Sequence, residues 1–493
     1  MLNSEKKIKF LVFITCMCFY LVFWNGIQVS VDGIVMFQYA KSLLFNRSVV
    51  MEQPVLWGME FSVSRWPIGL TLAYIPFLAF FSVIPGIRSP QFFLNPYDPT
   101  IDFNKAYFND YAYQFASLIQ PVVTALTAVL VFNLAIEMGL TRKKSIIAAL
   151  IFGLATPAAV YTRFDYSQPL ASFLMLASVV WLLRARNGKK TGLVLAGFLV
   201  GLSGMTRLEM LIIPGGFFCL AAFLIPFRFE SNQNKKILKG FYNLAWLVLP
   251  MLFGVVNILI WNELRFGSWS SSGYWGRNNS FVLDPIRNLP ALLANLVSPG
   301  RGIFLFFPLS VLAVLGLILL VRKDWWVGLL MNGIVIGSWL MYSTWYQWGA
   351  GISWGPRFFI PLIPYLCVLS WFGWEGLMRF SRRVRIWLWS ILVALGAIAT
   401  LQGLIFNPLD FYTQVNLTDR MIGDEYYHFN FSMSPIFAGW EFLFDTVRYE
   451  IIWFRLARVQ PLWILGFYFF LALTVLLGLV WYRYFKDGER SSV

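Results

Sequence analysis

Residues 345–364 read WYQWGAGISWGPRFFIPLIP. Trp345, Trp348 and Trp354, three glycines and Arg357 crowd into the first thirteen of these residues, between two long apolar runs. Gly355-Pro356 reads as a helix start, with Pro suited to the first helical position. Arg357 then falls in the first turn, where the helix dipole disfavours a cation. An anion bound at that turn would reconcile the two. Tryptophans at the end of an apolar run suit either the aromatic belt of a membrane interface or stacking on sugar rings and lipid. The stretch therefore reads as a junction between an outer loop and a membrane-spanning helix.

The rest of the chain agrees with that reading. Its 493 residues are 58% hydrophobic and 18% aromatic, and only 13% are charged, against roughly 25% in a soluble domain. Runs such as LVFITCMCFYLVF and ILGFYFFLALTVLLGLVWY are long enough to cross a bilayer. The net charge of +15 lies mostly in short loops between apolar runs, which points to membrane topology rather than nucleic acid. Cys16, Cys18, Cys219 and Cys367 all sit in apolar runs, so neither a disulfide framework nor a zinc site is expected. The basic N-terminal flank MLNSEKKIKF lacks an A-x-A-like cleavage site and reads as the start of a retained helix.

Twelve crossings are expected, near 10–28, 112–138, 145–160, 168–184, 192–206, 209–226, 243–262, 303–321, 326–343, 358–378, 385–405 and 461–482. Basic clusters at 5–9, 141–144, 184–190, 228–236, 322–324, 379–385 and 483–490 then alternate to one side, taken as cytoplasmic together with both termini. This requires the apolar segment 67–86, which carries Pro67, Pro76 and Pro85, to be interfacial or re-entrant within a long first external loop, 29–111. The expected organisation is a transmembrane module over 1–405, an external cap over 406–460 and a last helix with a tail over 461–493.

The polar oddities gather on the external side. Asp32, just past the first helix, suits either acid–base work or capping of the helix that follows. Arg163 and Asp165 sit in VYTRFDYSQPL, where they read as a surface ion pair or as part of a metal or phosphate site. Arg207 and Glu209 flank a short turn at i and i+2, a spacing that does not share a helix face. Arg at membrane depth is costly and marks function. Arg301, in SPGRGIF, repeats the glycine-turn and arginine pattern of Arg357. The four arginines are thus candidates to hold an anion, and Trp345, Trp348, Trp354 and Tyr39 are candidates to contact sugar or lipid. His428 is the only histidine, which excludes a His-rich zinc site. Asp165 could hold Mg2+ or Mn2+, although carboxylates alone leave a cofactor undecided.

An ordered set of motifs over residues 25–375 carries a resemblance: VDGIVMFQYAKSLL, SRWPIGLTLAYIPF, GLATPAAVYTRFDYSQPLASFLMLAS, GLSGMTRLEM, NELRFGSWSSSGY, SPGRGIFLFFPLSVL and WGAGISWGPRFFIPLIP. The chain resembles the bacterial branch of the polyprenyl-phosphate-dependent glycosyltransferases with the C-type (GT-C) membrane fold. That superfamily includes protein O-mannosyltransferases, lipid A aminoarabinose transferases and oligosaccharyltransferase catalytic subunits. The resemblance implies an all-α polytopic fold, a polyprenyl-phosphate sugar donor, and inverting transfer on the external face of the bacterial cytoplasmic membrane. The acceptor would be a glycan, a lipid or a protein. By that likeness Asp32 matches the first-loop acid, acting as base or orienting the acceptor. Asp165 matches the second external-loop acid, which in some relatives helps bind metal. Two departures stand out. Gln168 replaces the Glu of the Ser-Glu-Pro often found in related sequences, and no second carboxylate neighbours Asp32 in the chain. A transporter or flippase of lipid-linked sugars is the rival reading, and a non-catalytic protein of the same fold a second. A transporter predicts internal repeats and charges deep in the spans, neither of which the sequence shows.

Overall fold

The computed structural model describes residues 4–26, 30–51, 55–56, 59–60, 63–82, 115–186, 189–273, 285–345, 347–351, 353–405, 411, 426–442 and 451–490. Apart from one two-residue β-pair, Val55–Leu56 with Met59–Glu60, the regular structure of these residues is helical. Eight helices among them are long and apolar enough to cross a bilayer: Ile119–Glu137, Gln168–Ala185, Glu209–Arg228, Gln233–Phe266, Trp325–Ser343, Arg357–Gly376, Arg382–Ile405 and Pro461–Lys486. The chain is an integral membrane protein. The expected count of twelve is not confirmed among the described residues. Glu5–Val22 carries four charges in its first turns, and Arg142–Leu154, Lys190–Thr206 and Ser310–Lys323 are shorter than a full crossing.

The centre is a bundle in which Lys190–Thr206 packs on Gln233–Phe266 and on Gln168–Ala185, and Ser310–Lys323 packs on Ile363–Gly376. Small residues make these approaches possible, as is usual where lipid rather than water surrounds a bundle. A Cβ on Gly254 would overlap the Gly201 carbonyl, so neither position tolerates a side chain without the helices parting. Lipid-facing surface is apolar: Leu249, Phe253, Trp387, Ile391, Tyr468 and Phe469 are all exposed. The 34-residue helix Gln233–Phe266 is roughly 50 Å long at 1.5 Å per residue, well beyond the ~30 Å hydrocarbon core.

Segment 67–86 contains the Gly69–Ser82 helix with Pro76 inside it. One face buries Ile68, Leu70, Tyr74 and Leu78 against the Val31–Lys41 helix, with Phe80 exposed. Most of the remaining first loop, 83–114, lies outside the described residues, as do 412–425 and 443–450 of the expected cap, including Asp419, Asp424 and Glu425.

Ion pairs tie one end of the bundle together. Arg228 grips Asp324 with two hydrogen bonds of 2.9 and 3.1 Å, Arg186 approaches the same carboxylate, Arg184 pairs with Glu137, and Lys144 with Glu375. Asp324 also caps the Trp325–Ser343 helix by accepting from Val327 N–H at 3.2 Å. The other ends of the same helices begin at Gln168, Glu209 and Arg357. Structural charge and the residues considered next therefore occupy opposite ends.

Candidate active site

Ser30, not Asp32, caps the Val31–Lys41 helix, its Oγ accepting from Gly33 N–H at 3.0 Å. This corrects the capping alternative for Asp32 and leaves its carboxylate free to point outward from the first turn. Asp32 Oδ2 is ion-paired with Arg357, 325 residues away in sequence. The Asp32 side chain keeps 22% of its surface exposed, enough to meet a substrate.

Asp165 is buried against the same turn. Its Oδ1 accepts from Ser30 N–H at 3.0 Å, and a Cβ on Gly33 would overlap its carboxylate. The fold thus supplies beside Asp32 the second acid that the local sequence lacks. Glycine at 33 is required for that approach. The Arg357 guanidinium lies 3.5 Å from the centre of the Tyr166 ring, a close cation–π contact. Burial among these groups pushes the Tyr166 hydroxyl well above its ordinary pKa, so it stays neutral.

Gln168 opens the Gln168–Ala185 helix and is fully buried between two arginines. Arg357 Nε and Arg207 NH1 both face the end of its side chain, and both can only donate. The amide oxygen must therefore face them, accepting at 3.0 and 2.7 Å. Arg207 in turn pairs through Nε with Glu209, whose carboxylate also accepts from Tyr342 Oη at 3.4 Å. Arg207 is extended (φ −149°, ψ 113°) between the end of one helix and the start of the next. The expected turn between two apolar runs is present, and an i, i+2 pair needs no shared helix face there. Arg207 and Glu209 belong to two helices and meet across the junction. A continuous polar chain results: Asp32, Arg357, Gln168, Arg207, Glu209.

No family model matches the sequence, and no curated protein matches it. Solved structures do match in shape. The fold is similar to that of the Archaeoglobus fulgidus oligosaccharyltransferase in its apo form, with a TM-score of 0.50 and 12% identity, over 86% of this chain and 60% of that one. The chain has the GT-C glycosyltransferase fold. ArnT from Cupriavidus metallidurans, in the apo state, matches with a TM-score of 0.48 and 14% identity over 96% of this chain and 76% of that one. The archaeal oligosaccharyltransferase AglB from Archaeoglobus fulgidus, in complex with an inhibitory peptide and a dolichol-phosphate, matches with a TM-score of 0.49 and 11% identity over 86% and 59%. The chain spans about three fifths of the archaeal enzyme's length.

Within this GT-C fold the remaining sequence candidates fall away from the Asp32–Arg357 pair. Arg301 is buried and donates to the carbonyls of Gly351, Ser353 and Gly355. Gly351 and Gly355 both have φ of +61°, the left-handed backbone that turns these carbonyls inward and that glycine adopts at least cost. Arg163 is likewise buried, donating to the carbonyls of Gly403 and Leu404 at the end of the Arg382–Ile405 helix. Both guanidiniums thus pin backbone, where the sequence suggested an anion.

Trp354 is fully buried, donates to Gln402 Oε1 at 2.9 Å and meets Phe306 edge-on. Trp348 is packed on His428 with ring centres 4.9 Å apart. Trp345 is partly buried against the main core. Tyr39 is buried beside Trp261, and burial pushes its hydroxyl up to about 12. Packing takes up Trp348, Trp354 and Tyr39, because apolar rings at a bundle end gain more by burial than by display. Tyr166, Gln168, Glu209 and Tyr342 went unmarked as site residues, and only the fold brings them together. Among the described residues no three His, Cys, Asp or Glu side chains converge as a metal cluster. One oxygen of Asp165 accepts from Ser30 N–H, which ties this acid to the turn that carries Asp32.

Proposed function

We propose that the chain transfers a sugar from a polyprenyl-phosphate-linked donor to an acceptor on the external face of the bacterial cytoplasmic membrane, inverting the anomeric carbon. The observation that carries this reading is the partly exposed Asp32 carboxylate held by Arg357 beside a second arginine, Arg207, at one end of a bundle of apolar helices. A lipid donor lies in the bilayer with its phosphate at that level. An anionic leaving group and a hydroxyl nucleophile require a cation and a base side by side. The fold shared with an oligosaccharyltransferase agrees with this chemistry.

In the proposed reaction Asp32 accepts the acceptor hydroxyl proton as that oxygen bonds to the anomeric carbon. The bond from the anomeric carbon to the phosphate oxygen breaks, and its electron pair remains on the phosphate. Arg357 and Arg207 stabilise that growing negative charge. Arg357 also orients Asp32, a double duty that its several donors in a planar fork allow. Asp165 holds the turn that carries Asp32 through Ser30 N–H. Arg163 and Arg301 support the surrounding loops.

The test is sugar transfer by the purified protein with a panel of polyprenyl-phosphate monosaccharides, with and without Mg2+ or Mn2+. Release of free polyprenyl phosphate with one donor would establish the activity and name the sugar. Lipid binding without release from any donor would refute the transferase reading in favour of a carrier.

A further inference from the structure

We propose that Gln168 is a positioning residue: a neutral bridge that holds Arg357 and Arg207 together as a two-guanidinium clamp for one phosphate group and yields its place to a phosphate oxygen. This rests on the lipid-phosphate reading above and specifies how the phosphate is held.

The geometry gives the reason. One amide oxygen receives Arg357 Nε at 3.0 Å and Arg207 NH1 at 2.7 Å, in a position with no solvent exposure. Two buried like charges this close repel strongly unless an acceptor lies between them. The amide supplies the acceptor without supplying a negative charge. Each guanidinium already has one carboxylate partner, Asp32 for Arg357 and Glu209 for Arg207. A third carboxylate at 168 would satisfy the arginines completely and repel an incoming anion. A neutral oxygen satisfies them partially and can be displaced, because charge-assisted hydrogen bonds to phosphate are stronger than those to an amide. Gln168 also stands at the N-terminal end of an 18-residue helix, where the positive end of the helix dipole favours an arriving phosphate. The planar forks of two arginines spaced by one oxygen atom match adjacent oxygens of a single phosphate.

The experiment measures binding of a long-chain polyprenyl monophosphate, with the dephosphorylated polyprenol as control, by the shift in melting temperature of the full-length protein in detergent. Gln168→Glu should melt no lower than the wild type without ligand and bind the phosphate lipid about tenfold more weakly or worse. Gln168→Leu, of similar shape but with no acceptor, should melt lower without ligand and show a larger rise with the phosphate lipid than the wild type does. Neither variant should change the response to polyprenol. A residue that only fills space would leave the phosphate-dependent shift unchanged, and that result overturns the clamp. Should Gln168→Leu fail to fold, the Gln168→Glu affinity decides alone: wild-type affinity there overturns the proposal. Absence of any phosphate-dependent shift in the wild type overturns the lipid-phosphate reading itself, and the clamp with it.

Discussion

Arg301 and Arg357 each follow a glycine turn at a helix start, and the fold uses them differently. Arg301 donates to the backbone carbonyls of 351, 353 and 355, whereas Arg357 meets a carboxylate, an aromatic face and an amide. The sequence pattern marks both positions, because each sets an arginine beside a glycine turn ahead of an apolar run. It cannot tell them apart, because the deciding partners lie about 50 and 325 residues away. Asp32 was legible as an isolated acid at the bilayer surface. Gln168 stood out only as a missing carboxylate, and its bridging of two arginines depends on a third segment. A prediction follows at this scale. Arg301→Lys keeps the charge but loses the planar fork, so it should destabilise the protein by about 1–3 kcal/mol through orphaned buried carbonyls. Polyprenyl phosphate affinity of the folded fraction should be unchanged. Arg357→Lys should show the reverse balance, with a large loss of affinity. Thermal melts together with lipid-binding titrations separate the two.

Among the elements, the helices were legible wherever apolar runs were long, and the Gly69–Ser82 helix is shorter than the candidate crossings. Eight of the expected crossings coincide with helices long and apolar enough to span, and the others fall on shorter or more charged helices. Segment 406–460 reads as a polar, aromatic insertion, and the docking of its residues 426–442 was not legible in the sequence. Residues 426–442 sit on the Arg301 loop. The His428 carbonyl accepts from Gly300 N–H at 3.0 Å, Ser434 Oγ donates to the Pro299 carbonyl at 2.6 Å, and Gln402 Nε2 donates to the Pro435 carbonyl at 2.7 Å. Burial, aided by the nearby Arg301 charge, holds the His428 imidazole well below its ordinary pKa, which is roughly 6.5. The undocked segment therefore binds a proton more readily than the docked one. Docking is at full strength above pH ~6.5 and is lost as pH falls through the lowered value of the docked imidazole. Hydrogen exchange over 426–442 should quicken on acidification, and His428→Gln should remove that dependence. Protection that stays constant with pH would contradict this.

For the whole molecule, the proposed orientation rests on charge distribution. The ion pairs Arg228–Asp324, Arg184–Glu137 and Lys144–Glu375 close one end of the bundle, while Gln168, Arg207 and Arg357 lie where the same helices begin, with Asp32 paired to Arg357. We propose, from the alternation of basic clusters in the sequence, that the first end faces the cytoplasm. On a background lacking the four native cysteines, Ser432→Cys should therefore react with a membrane-impermeant maleimide in intact cells. Lys235→Cys should react only after permeabilisation. The central claim is that this outer end performs glycosyl transfer with Asp32 as the base. It is tested most directly by single-turnover cleavage of the responding polyprenyl-phosphate sugar by wild type and Asp32→Asn, each shown to be folded and to bind the donor. The account predicts a rate lowered about 10²–10⁴-fold in the variant, the usual contribution of a general base. Equal rates in the two proteins would contradict it.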